Sequence, residues 1–170
     1  MIPPAEKRAF ERFVAESSDR LVRTAYLLCG DRGHAEDLVQ TALLRTARRW
    51  GHARRCPEPY ARRVVVNLAR DRWRALGRRP REAPIGETDI AVSVTDGIAE
   101  RDQLVRAAQA LPEGQRAVLV LRYFDDLSIE ETARVLGCTT GTVKSQTARA
   151  LTRLRAALTP EMETADADRR

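Results

Sequence analysis

Apolar residues recur along this chain at intervals of three and four and almost nowhere alternate, the spacing of amphipathic helices rather than strands. The spacing predicts a first helix over residues 5–17 and a second over 19–29, the latter with Leu21, Ala25 and Leu28 on one face. Gly30-Asp-Arg-Gly33 reads as a turn, and a third helix over 34–49 sets Leu38, Ala42 and Arg45 beside Val39, Leu43 and Thr46. Residues 51–58 read as a loop. A fourth helix over 59–76 begins at Pro59, where a missing N–H does no harm. The run Val64-Val65-Val66 has strand propensity but lies inside a helical pattern of Tyr60, Val64, Leu68 and, further on, Leu76. Periodicity fades over 78–97, where Pro, Gly, Ser, Thr and acids accumulate as in a linker. It resumes with Ile98, Leu104, Val105, Ala108 and Leu111, and further helices are expected over 113–123, 128–136 and 140–158.

The expected fold is therefore all-α: two small helical domains, 5–77 and 98–158, joined by a flexible linker over 78–97, with an acidic, disordered tail over 159–170. A chain of 170 residues accommodates two such domains, and its low aromatic content suits helical cores built from Leu, Val and Ala.

The last pair of helices has a specific form. Ser128-Ile-Glu-Glu131 is a capping box, with Ile129, Ala133 and Leu136 facing inward behind it. Gly137 follows, the usual residue for a left-handed turn at a helix end. A short helix, a Gly turn and a longer helix make a helix-turn-helix at 128–155. On the second helix Val143, Thr147, Leu151 and Leu154 share one face, and Thr142, Ser145 and Arg149 lie opposite, flanked by Lys144 and Gln146. Arg149 suits bidentate bonding to guanine and Gln146 suits adenine, whereas Lys144 and the hydroxyls also suit phosphates. An ordinary amphipathic helix with a solvated face is the plain alternative. The capping box, Gly turn and polar first half together favour DNA binding.

Charge changes the picture of the other half. The net charge of +6 is uneven: residues 1–79 hold 18 Lys and Arg against 9 Asp and Glu, whereas 80–97 hold 1 against 4. From Arg45 to Arg79 there are 12 arginines against Glu58 and Asp71, interleaved with Trp50, Tyr60 and Trp73. Arginines for the backbone and aromatics for exposed bases suit melted or single-stranded DNA. Trp73 reads as a core residue, whereas Trp50 and Tyr60 border the loop and are expected to be exposed.

Cys29, Cys56 and Cys138 are odd in number and far apart, which argues against a disulfide framework and against zinc. No cofactor or metal is expected, and no apolar run is long enough for a membrane span. The chain is expected to be soluble and cytoplasmic.

These features together resemble one family, the extracytoplasmic-function group of bacterial RNA polymerase sigma factors in the sigma-70 superfamily, nearest its sigma-E-like actinobacterial members. The segment Ala35-Glu-Asp-Leu-Val-Gln-Thr-Ala-Leu-Leu-Arg45 resembles the family's clamp-docking helix. Tyr60-Ala-Arg-Arg-Val-Val-Val-Asn-Leu-Ala-Arg-Asp-Arg-Trp73 resembles the segment that recognises and melts the −10 element. Leu111-Pro-Glu-Gly-Gln-Arg-Ala-Val-Leu119 and Gly141-Thr-Val-Lys-Ser145 resemble the domain that reads the −35 element. The resemblance implies partners in core RNA polymerase, through its clamp helices and flap, in promoter DNA, and, as an open option, in an anti-sigma factor. It implies polymerase contact by Asp37, Gln40, Thr41 and Leu44, −10 contact by Arg54, Arg55, Tyr60, Arg62, Arg63, Asn67 and Arg70, and −35 contact by Thr142, Lys144, Ser145, Gln146 and Arg149. Two departures are visible. Thr41 stands where the family usually carries an acid, and Arg54-Arg55-Cys56-Pro57 replaces a usually aromatic-rich run, so a base preference does not transfer.

A stand-alone helix-turn-helix regulator is the main alternative, but it needs neither the basic half nor a clamp-like helix. A nuclease finds no support, because the acids are scattered and no nucleophile–base pair stands out.

Overall fold

The computed structural model describes residues 4–77 and 98–159. The linker expected over 78–97 and nearly all of the expected tail lie outside these residues. Helices account for almost all of the described chain, and it contains no strand.

Helix α1 runs unbroken from Pro4 to Cys29, where the spacing had suggested two helices. No Gly or Pro interrupts it. The Ser18 hydroxyl donates to the Val14 carbonyl one turn back, so the Ser17-Ser18-Asp19 step is absorbed rather than broken. The helix ends at Gly30, whose φ of +75° is the left-handed conformation favoured by a residue without Cβ. Asp31 then caps α2 (Arg32–Arg48), its carboxylate accepting the His34 N–H at 2.7 Å. That bond holds the Asp31 carboxyl below its usual range.

The loop expected over 51–58 is largely helical. A single turn, α3 (Trp50–Ala53), leads almost directly into α4 (Pro57–Gly77). The cause is Trp50, which is buried rather than exposed. Its ring meets Phe10 edge-on at 5.1 Å and lies 5.9 Å from Phe13, so the chain is pulled onto α1. Helices α1, α2 and α4 pack around Phe13, Leu21, Ala25, Ala35, Val39, Ala42, Ala61 and Val65. The alanines, one or more per helix, allow the close approach.

The second unit comprises α5 (Ile98–Gln109), α6 (Glu113–Leu119), α7 (Ile129–Leu136) and α8 (Thr140–Leu158). Residues Val120–Phe124 form a widened, π-helical turn after α6, closed by the Asp125 N–H to the Val120 carbonyl at 3.0 Å. The expected single helix over 113–123 is thus modified at its end. The extra residue in this turn rotates Asp125 inward, and Asp126 relaxes the exit at φ 53°. Ala108, Leu111, Leu119 and Ala150 form a small core of this unit, with Leu151 and Leu154 against it.

The two units also share a core. Leu28, Val66, Ala69 and Trp73 from the first pack with Val118, Leu121, Leu127, Leu136 and Val143 from the second in one continuous apolar cluster.

Candidate nucleic-acid interface

Helices α7 and α8 form the helix-turn-helix with each local signal in place. Ser128 Oγ accepts the Glu131 N–H at 3.0 Å, and Glu131 returns a carboxylate to the Ser128 N–H at 2.7 Å. The same bonds lower the Glu131 pKa. Gly137 ends α7 at φ +64°. Thr139, which the sequence reading passed over, caps α8 by accepting the Thr142 N–H at 3.1 Å.

Helix α8 turns Val143 and Ala150 fully inward, seven residues apart and therefore on one face. Ala150 was missed because its small side chain adds little to a hydrophobic pattern. Thr147 is half-buried and spends its hydroxyl on the Val143 carbonyl at 2.7 Å. Thr142, Lys144, Ser145 and Arg149 are exposed, and Gln146 is half-buried. Two of these are engaged locally: Ser145 donates to the Thr142 carbonyl at 3.0 Å, and the Thr142 and Thr139 hydroxyls lie 2.9 Å apart. Lys144 and Arg149 are the long cations this helix presents to solvent in its first half.

Helix α4 divides its basic residues differently. Arg63 and Asn67 are exposed, and Tyr60 is half-buried. Arg55 is exposed in the turn before the helix, and Arg54 beside it forms an ion pair with Glu6 of α1 at 2.5 Å. Arg62 is buried, 7 % exposed, held by Glu58 at 2.7 Å and by Asp125 at 3.3 Å. Arg70 is half-buried and donates to the Leu136 carbonyl at the end of α7 at 2.7 Å. In this conformation neither Arg62 nor Arg70 is available to a phosphate. Trp73 is buried, as expected, with the Arg116 guanidinium 5.6 Å above its ring.

Asp125 had no sequence signal. Its Oδ1 accepts the Thr24 hydroxyl at 2.8 Å, while its Oδ2 faces Arg62 without full hydrogen-bond geometry. Burial raises its pKa, against the opposing pull of Arg62.

On α2 the inward residues are Ala35, Val39, Ala42 and Thr46. Asp37 and Gln40 are exposed, Thr41 is half-buried, and Leu44 is 61 % exposed. A leucine so exposed beside an acid and an amide leaves an apolar spot on an otherwise polar ridge.

The first turns of α8 stand across from α4. A cavity of about 220 Å³ lies between them, lined by Arg70, Trp73 and Arg74 on one side and Cys138, Thr142 and Gln146 on the other. Burial raises the pKa of the Cys29 thiol. Among the described residues no group of His, Cys, Asp and Glu has the arrangement of a metal site, and no helix is long and apolar enough to cross a membrane.

A basic helix placed beside a capped helix-turn-helix defines a bipartite DNA-binding transcription protein, and comparison with known proteins makes the class definite. Residues 13–79 match the family model for sigma-70 region 2, and residues 101–154 match that for sigma-70 region 4. The RNA polymerase sigma-E factor of Streptomyces avermitilis is 43% identical over 95% of this chain and 89% of its own length. An extracytoplasmic-function RNA polymerase sigma factor of Mycobacterium tuberculosis is 33% identical over 88% of this chain and 76% of its own. The chain belongs to the sigma-70 family, in its extracytoplasmic-function group, and is an alternative RNA polymerase sigma factor. Its fold is also that of a sigma factor from Bartonella quintana solved in complex with an anti-sigma factor, with a TM-score of 0.67 over 91% of this chain and 99% of that one, at 22% identity.

Proposed function

We propose that this sigma factor divides its work between residues 5–77, which bind core polymerase and open the −10 region, and residues 98–158, which read the −35 element. The observation that carries the second half is the two-sidedness of α8. Val143 and Ala150 are fully buried while Lys144, Ser145 and Arg149 stand exposed on the other side. A helix fixed by its core face and polar at its leading end suits insertion into a major groove. Arg149 addresses a guanine edge, Gln146 an adenine edge, and Lys144, Thr142 and Ser145 hold phosphates or bases near them.

On α4 the exposed Arg63 and Asn67, with Arg55 before them, supply the first −10 contacts, and Arg54, Tyr60, Arg62 and Arg70 join once freed. Core polymerase docks on α2 through Asp37, Gln40 and Leu44, with Thr41 beside them, and the flap meets the second unit. The protein carries no catalytic step of its own and acts in the cytoplasm. An anti-sigma factor completes the set of proposed partners, as in the Bartonella complex.

In vitro transcription with core polymerase over a promoter library tests the whole reading. Enrichment of two separated elements is the expected result. A library read at a single element, with no dependence on core enzyme, would support a stand-alone regulator instead. Asp37→Arg reverses charge on the docking ridge and is expected to lower affinity for core polymerase at least tenfold, about 1.4 kcal/mol. Unchanged affinity in a titration with labelled protein would remove α2 from the docking surface.

A further inference from the structure

Arg20 of α1 belongs to none of the contacting sets above, yet it reaches across to α4 and shares a carboxylate with Arg62. Arg20 Nη1 donates to Glu58 Oε1 at 3.1 Å, and Arg62 Nη2 donates to the same oxygen at 2.7 Å. Each helix supplies two residues one turn apart, Arg20 and Thr24 from α1, Glu58 and Arg62 from α4. One carboxylate neutralises one guanidinium. The corner therefore keeps a positive charge in excess within the first unit.

An anion occupies this corner. Asp125, from the turn after α6, accepts the Thr24 hydroxyl on Oδ1 at 2.8 Å and sets Oδ2 3.3 Å from Arg62 Nε. A carboxylate fits it imperfectly. Oδ2 is buried without a hydrogen bond, and burial raises the Asp125 pKa against the pull of Arg62, the Thr24 hydroxyl and Arg20. A backbone phosphodiester carries the same single negative charge and the same pair of terminal oxygens. The two cations also differ usefully in exposure. The Arg62 side chain is 8% exposed and forms the floor of the corner, whereas that of Arg20 is 62% exposed and forms an arm at its rim. Thr24 has a second acceptor in the Arg20 carbonyl at 3.0 Å, so its hydroxyl is not orphaned when Asp125 withdraws. Arg63 and Asn67, further along α4, are exposed.

We propose that Arg20, Thr24 and Arg62 form a phosphate site for promoter DNA that spans α1 and α4, in which the Asp125 carboxylate stands where a backbone phosphate binds. Glu58 is its positioning residue and holds the two guanidiniums together. The site grips the backbone beside the −10 element and reads no base. It extends the DNA-contacting surface from α4 onto α1. The proposal rests on the reading of residues 5–77 as the unit that binds the −10 region, with Asp125 carried away by the unit that binds the −35 element.

Full-length wild type, Arg20→Ala and Thr24→Val, each assembled with core polymerase, test this. Arg20→Ala removes an exposed ion pair, which contributes little to folding. Thr24→Val deletes a hydroxyl and keeps the shape of the side chain. Binding of each holoenzyme to a promoter fragment is measured against salt concentration. It is measured again on fragments carrying one neutral methylphosphonate at successive positions through the −10 region. Arg20→Ala should weaken binding on the order of tenfold. The slope of log affinity against log salt should fall by about 0.7–0.9, the value of one phosphate contact. With the methylphosphonate at one position, or at two adjacent ones, the loss should vanish, and Thr24→Val should lose its effect at the same place.

An unchanged affinity and slope in Arg20→Ala would overturn the site. So would a loss of equal size on every methylphosphonate fragment, or a loss traced to weaker binding of core polymerase alone. If Thr24→Val loses its helical circular dichroism, Arg20→Ala decides. The premises separate cleanly. If no methylphosphonate through the −10 region affects the wild-type holoenzyme, the −10 reading fails and the site with it. If some positions do and none silences Arg20→Ala, only the site fails.

Discussion

Helices α4 and α8 are both candidate DNA-contacting helices, yet they stand in opposite conditions. All of the contacting set of α8 except the half-buried Gln146 points into solvent, and its inner face carries Val143, Ala150, Leu151 and Leu154 with one satisfied threonine. The contacting set of α4 is split: Arg63 and Asn67 face out, while Arg62 and Arg70 are folded into the molecule. The difference teaches that arginine density does not measure a DNA surface. Part of the basic charge on α4 is structural in this conformation, and part is free.

Four substitutions break or sharpen this contrast. The largest effect belongs to Arg62→Ala. It strips a buried carboxylate of its cation and should cost about 3–5 kcal/mol in urea unfolding. A loss below 1 kcal/mol would mean that Arg62 is as solvent-facing as its neighbour Arg63. Arg149→Ala should leave stability unchanged and reduce discrimination at the −35 element by about 1–3 kcal/mol. An equal loss on scrambled DNA would reassign Arg149 to phosphate. Ser128→Ala removes one arm of the capping box and should cost about 1 kcal/mol of stability, read as a shifted denaturation midpoint.

The smallest effect concerns pH. Burial raises the Asp125 pKa above the ordinary 3.8, so in the pH window between that value and the raised one the folded chain holds a proton that the unfolded chain has released. Stability from this group is therefore full in acid and is lost as pH rises through the raised value. Asp125→Asn, which cannot titrate, should flatten that part of the stability–pH curve. A slope equal to that of the wild type would place the titration elsewhere.

Much of this was legible in the residues. The helix-turn-helix followed from Ser128, Glu131, Gly137 and the spacing of apolar groups, because caps and periodicity are local. The joined α1 was misread because Ser17, Ser18 and Asp19 favour caps only where the neighbouring packing allows a break. Trp50 was misread for a related reason. Its position at the edge of the expected loop suggested exposure, and only the approach of Phe10 and Phe13 from α1 buried it. Asp125 was invisible, since a surface-type residue in a polar stretch carries no sign that a widened turn will rotate it inward.

Sequence by itself determined the helical class, the two motif-bearing segments, the uneven charge and the identity of the polar residues on α8. These depend on interactions within one or two helical turns. Tertiary structure alone decided which cations are free. Arg62 meets Asp125 across 63 positions, and Arg70 meets Leu136 across 66. Whether such a cation faces solvent or a carboxylate is set by desolvation and pairing between helices, and no local pattern records that.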